Sequence, residues 1–100
     1  MSYWQLFYHV VWATKGRAPL VTSEIESTVY DFIRGKANDL GGIVFAINGM
    51  PDHVHLVAAV PPRIALSDFI GQVKGVTSAK YNKRLGIGMP RLEWQAEYGV

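Results

Sequence analysis

The chain has 100 residues, 49% of them hydrophobic and 18% charged, with a net charge of +2, which fits one globular domain and excludes both a two-domain protein and a disordered one. It contains no cysteine, so a disulfide framework and a thiolate-ligated zinc site are excluded and a reducing compartment suits it. Residues Met1-Ser2-Tyr3-Trp4-Gln5 lack the basic and apolar regions of a signal peptide, and no apolar run reaches the roughly 18 residues of a membrane span; a cytoplasmic protein without membrane contact is expected.

Residues 4–14 are rich in aromatic and β-branched types, apolar on both faces, and predict a strand central in a sheet. Lys15-Gly16-Arg17-Ala18-Pro19 breaks it. Ser23 and Glu26 have capping-box spacing. Ile25, Val29, Phe32, Ile33 and Leu40 then recur at helical intervals up to the Gly41-Gly42 stop, predicting a helix of about five turns. Ile43–Asn48 reads as a second strand, Gly49-Met50-Pro51-Asp52 as a turn, and His53–Val60 as a third strand, close enough for an antiparallel hairpin. A second helix runs from about Ser67 to Leu85, with Leu66, Phe69, Ile70, Val73 and Thr77 as its apolar edge and Gly86 as its stop. Trp94–Val100 reads as the start of a fourth strand. The order β-α-β-β-α-β predicts an α+β, ferredoxin-like domain: one antiparallel sheet with both helices on one face. The other face is either covered or the working surface.

Chemistry concentrates in His53 and His55. Two apart on a strand, their imidazoles project from one face while Val54 points toward the helices. Two neutral imidazoles so placed can hold one divalent ion, although two surface histidines on a half-exposed strand is the bland alternative. His9, on the strand expected beside them, either shares the site or is a partly buried, hydrogen-bonded histidine. Asp52 either points away from the histidines, as a regular strand requires, or closes the turn through its side chain, and is not expected to be a ligand. Lys80, Lys83 and Arg84 share a helix face, with Lys74 on the same helix and Lys15 and Arg17 after the first strand. These six either make phosphate contacts or are solvated, the helix-end cations suiting the dipole. Trp12 and Trp94 either pack in the core or stack on unpaired bases. A pI near 9.0 tolerates a nucleic-acid partner without demanding one.

Met50-Pro51-Asp52-His53-Val54-His55-Leu56 resembles the signature of the HUH nucleases, where U is a bulky apolar residue. Tyr8–Lys15 resembles the first strand of the single-tyrosine HUH transposases, the small insertion-sequence transposases and their REP-associated relatives. Phe69–Ser78 resembles their second helix, and Trp94–Val100 the strand leading into their last helix. The resemblance implies cleavage of single-stranded DNA near hairpins by a tyrosine that becomes linked to a 5′ phosphate, with rejoining by the freed 3′ hydroxyl. It also implies Mg²⁺ or Mn²⁺ on His53 and His55 and a two-fold homodimer; the small domain and its uncovered sheet edges point to joining through those edges or the strand near Trp94–Val100.

In that family the nucleophile lies on a further helix, which also carries a polar residue, often glutamine, that completes the metal site. The expectation is therefore a single domain over residues 1–100 that lacks the nucleophile helix and is inactive alone. A non-catalytic module of the same descent that binds DNA hairpins is the alternative. Of the five tyrosines, Tyr3, Tyr8, Tyr30, Tyr81 and Tyr98, none is expected to substitute. Tyr8 and Tyr30 read as packing residues, Tyr81 as remote from His53, and Tyr98 as matching a family position other than the nucleophile.

Overall fold

The structure, a computed structural model, describes residues 6–85 and 90–100. In chain order it contains β1 (Leu6–Ala13), a short 3₁₀ turn (Lys15–Arg17), α1 (Glu26–Asp39), β2 (Ile43–Met50), β3 (His53–Val60) and α2 (Leu66–Lys83). The expected strand start at Trp4 and helix stop at Gly86 lie outside the described residues. Among these residues no helix is long and apolar enough to cross a membrane.

The sheet has the order β1-β3-β2 and is antiparallel throughout. The histidine strand is thus central, and β1 lies beside it. The segment after α2 runs along the outer edge of β1 through bridges at Val11–Gly99 and Thr14–Trp94. It occupies the place of the expected fourth strand without forming a regular ladder. The reason lies in Lys74, whose ammonium donates to the carbonyls of Gln95 (2.5 Å), Ala96 (3.5 Å) and Glu97 (3.3 Å). These contacts turn the carbonyls of residues 95–97 toward α2, between the two bridges to β1.

Alternation along the strands sorts residues to two faces. Val10 and Trp12 of β1 and Val54, Leu56, Ala58 and Val60 of β3 are buried against Val29 and Ile33 of α1 and Phe69, Ile70 and Val73 of α2. This apolar layer, at about 25 cal/mol per Å² removed from water, is the main source of stability. The opposite face carries His9, His53 and His55, with Phe7 and Phe45 exposed and their ring centroids 5.5 Å apart.

α1 begins later than the capping-box spacing predicts. Its N-cap is Ile25 with no side-chain cap, and residues 23–25 form a turn in which the amides of Ile25 and Glu26 both donate to the Thr22 carbonyl. The helix is therefore 14 residues, not five turns. Its end matches the expected stop. Gly41 adopts φ 85°, its amide donates to Asn38 O, and that of Gly42 donates to Ala37 O, closing a Schellman motif. Gly42 also admits the Phe69 ring, which a Cβ there would meet at 2.9 Å.

β2 extends to Met50, two residues beyond expectation, so that Pro51-Asp52 alone makes the turn. Residues 14–21 bind that turn from outside. The Thr14 amide donates to Asp52 O and that of Val21 to Pro51 O, while the buried Thr14 hydroxyl lies 2.6 Å from Ala18 O and 3.2 Å from Asp52 O.

Candidate functional site

β3 places the His53 and His55 rings on the open face of the sheet with centroids 5.0 Å apart, and buries Val54 completely on the other. Each ring is held through Nδ1. His53 Nδ1 lies 2.7 Å from Asp52 Oδ1. A carboxylate only accepts, so His53 carries its proton on Nδ1 and leaves the Nε2 lone pair free. His55 Nδ1 lies 3.1 Å from His9 Nε2.

Asp52, expected to point away from the histidines, instead turns its carboxylate to His53, because the turn and not the strand sets its side chain. Its Oδ2 also meets Arg17 Nη2 at 3.3 Å. The result is a chain from Arg17 through Asp52 to His53 that fixes the first histidine. The hydrogen bond from His53 holds the Asp52 carboxyl below its ordinary range, and Arg17 acts in the same direction. Partial burial pushes the His55 pKa down, and the neighbouring His53 and His9 push it further. His55 is therefore neutral at pH 7, the state in which an imidazole can ligate a metal.

Beside the two histidines is an open cleft of about 370 Å³, walled by Arg17 on one side and by Gln95, Glu97 and Tyr98 of the C-terminal segment on another. Among the described residues no three His, Cys, Asp or Glu side chains are arranged to hold one ion. The donor set is two imidazoles, each engaged at Nδ1, which leaves Nε2 as the atom of each ring that could ligate. Imidazole is a common ligand of divalent ions, and two of them would leave most of an ion's coordination sphere to water or substrate oxygens.

The remaining basic residues do not gather here. Lys15 leaves the 3₁₀ turn toward a different, larger groove of about 730 Å³ that Arg91, Ser78 and Asn82 also line. Lys74 also borders that groove but is only 8% exposed, and its ammonium is engaged by the carbonyls of the C-terminal segment, which it fastens to α2. Burial lowers its pKa. Lys80 and Arg84 lie about 6 Å over the Phe32 ring of α1, on the helix layer and across the sheet from the histidines. Lys83 is exposed on the same helix end. Trp12 is buried and packs edge-on against Trp94, whose Nε1 donates to Lys74 O, so both indoles belong to the core rather than to a stacking platform.

Of the tyrosines, Tyr30 is buried, and Tyr8 and Tyr81 pack against the core; Tyr98 packs there too but also borders the histidine cleft. Tyr3 lies outside the described residues.

Sequence reasoning left His9 between two readings and missed the hold of Asp52 on His53. The signal for Asp52 was its adjacency to the motif. His9 required the β1–β3 register, which pairs Val11 with His55 and so sets His9 diagonally across from it on the same face.

Comparison with known proteins shows what the chain as a whole is similar to. The chain is 32% identical over 90 residues to the ISDra2 transposase TnpA of Deinococcus radiodurans, covering 90% of this chain and 61% of that protein. It is 26% identical over 83 residues to the transposase for insertion sequence element IS200 of Salmonella typhimurium, covering 83% and 55%. The chain thus spans about 60% or less of the length of these relatives. In structure it resembles the crystal structure of a protein described as a candidate transposase from Deinococcus radiodurans R1. There the TM-score is 0.85 at 26% identity, over 98% of this chain and 78% of that one. It shares the fold of a REP-associated tyrosine transposase bound to a REP hairpin, with a TM-score of 0.67 at 13% identity over 99% and 58%. The sequence profile of the family described as Transposase IS200 like matches residues 2–100, and the chain belongs to that family.

Proposed function

We propose that this chain forms the metal-binding and DNA-binding core of a transposase that cuts and rejoins single-stranded DNA through a tyrosine–5′-phosphate linkage. The observation that carries the reading is the pair of His53 and His55 rings, each held at Nδ1, lining the same cleft as Arg17. His53 and His55 would hold Mg²⁺ or Mn²⁺. Such an ion, when bound, polarises the scissile phosphate and offsets the charge of the transition state. Arg17 supplies donors that suit a phosphate oxygen, and Asp52 ties its position to that of His53. The partner is hairpin-bearing single-stranded DNA, by analogy with the REP hairpin bound by the structural neighbour. The setting is the cytoplasm, where a mobile element's DNA is accessible. The working form is a homodimer, supported by the outer edge of β2, which no strand among the described residues pairs.

The test uses a labelled single-stranded hairpin oligonucleotide with Mn²⁺, read first by fluorescence anisotropy and then on a denaturing gel. Binding is expected to weaken in Arg17→Ala. No covalent adduct is expected on these 100 residues, because Tyr8, Tyr30 and Tyr81 are committed to packing. An adduct mapping to Tyr98 would place the nucleophile inside this chain. Failure to bind the hairpin at all would overturn the reading.

A further inference from the structure

We propose that His9 is a positioning residue for His55: its Nε2 accepts the Nδ1 proton of His55 and so fixes the tautomer that turns a free Nε2 lone pair to a divalent ion. This rests on the metal-binding reading of the histidine pair.

The geometry sets the two histidines apart. His53 faces a carboxylate, which leaves it one tautomer only. His55 faces an imidazole at 3.1 Å, with ring centroids 5.3 Å apart and planes inclined by 43°. An imidazole can donate or accept, so the pair has two internally consistent arrangements. In one, His9 carries its proton on Nδ1 and accepts from His55, whose Nε2 then ligates. In the other, His9 Nε2–H donates to His55 Nδ1, the His55 proton sits on Nε2, and ligation is blocked. Only the first arrangement lets both histidines of the motif serve one ion. The contact spans two strands, and the register places His9 two residues from Val11, the partner of His55, on the same sheet face. His9 is exposed and lies outside the apolar core, so packing does not explain the contact. Outer partners of metal-bound histidines orient the ring and set its tautomer, and their loss typically costs about 10–100-fold in metal affinity.

The experiment has two arms. In the metal-free chain, nitrogen-resolved NMR of the imidazoles reads the tautomer directly. The expected result is a protonated Nδ1 and bare Nε2 on His55, becoming a mixture in His9→Phe. In the second arm, Mn²⁺ binding is measured by electron paramagnetic resonance. His9→Phe is expected to weaken it by about tenfold or more, and His9→Gln, which keeps an acceptor, to recover part of the loss. Circular dichroism checks that both variants fold. A His55 proton on Nε2 in the unaltered chain overturns the proposal. Unchanged Mn²⁺ affinity in His9→Phe, with binding still dependent on His53 and His55, overturns the role of His9 and leaves the metal reading intact. No Mn²⁺ binding by the unaltered chain overturns both.

Discussion

The two faces of β3 present unlike surfaces on one eight-residue strand. Val54, Leu56, Ala58 and Val60 point into the helix layer and are at most 1% exposed. His53 and His55 point the other way, into an open cleft with a polar partner on each ring. The period-2 alternation of a strand therefore separates stability from chemistry at single-residue resolution. Substitutions on one face should be felt in folding and on the other in ligand binding.

The largest effect is expected at Leu56, which is fully buried. Leu56→Ala should cost about 2–5 kcal/mol of stability in urea unfolding, as a core cavity does. A loss below about 1 kcal/mol would mean that the helix-covered face is not the core. Gly49 is where the comparison should break down. A Cβ there would run into the backbone carbonyl of His53. Gly49→Ala should therefore lower stability by about 1–3 kcal/mol, as overpacking does, and weaken Mn²⁺ binding as well, because the histidine backbone must shift. If binding were unaffected, the hairpin would not position the site.

His55→Ala should sharpen the contrast. It removes a side chain from the open face, so unfolding should change by no more than about 0.5 kcal/mol while Mn²⁺ binding is lost. A large stability loss would assign His55 to structure. The smallest effect is expected at Asp52. Its folded-state pKa lies below the ordinary 3.8, chiefly through the hydrogen bond from His53. Its share of stability is therefore present above pH 3.8 and lost as pH falls through the lower folded-state value. Asp52→Asn should lack this part of the acid dependence, seen by comparing urea midpoints at about pH 5 and about pH 3. An identical acid dependence in the variant would show that the Asp52–His53 contact does not form in solution.

The fold was largely legible because its signals are local. The apolar edge Phe69, Ile70, Val73 and Thr77 shows the helical period, Gly41-Gly42 the stop, and His53–Val60 the strand. The misreadings arose where another contact, local at the start of α1 and tertiary in the C-terminal segment, overrides the expected one. Ser23 has capping-box spacing, yet the Thr22 carbonyl collects the first amides. Trp94–Val100 has strand composition, yet the Lys74 ammonium collects its carbonyls. The same holds at the site. His53 and His55 follow from strand period alone, and Arg17 was one of six basic residues offered as DNA contacts. Which of the six shares the histidine cleft depends on how residues 14–21 wrap the Pro51-Asp52 turn, and composition does not encode that. Lys74 looks like a phosphate ligand in sequence because burial of its ammonium depends on where a segment twenty residues later returns.

The central claim is that the open face of β3 is a metal site built from two histidines. Titration of Mn²⁺ into the unaltered chain and into His53→Ala/His55→Ala, followed by electron paramagnetic resonance, tests it most directly. The account predicts weak binding of one ion per chain that disappears in the double variant while the fold is retained. Equal Mn²⁺ binding by both proteins, or none by either, would contradict it.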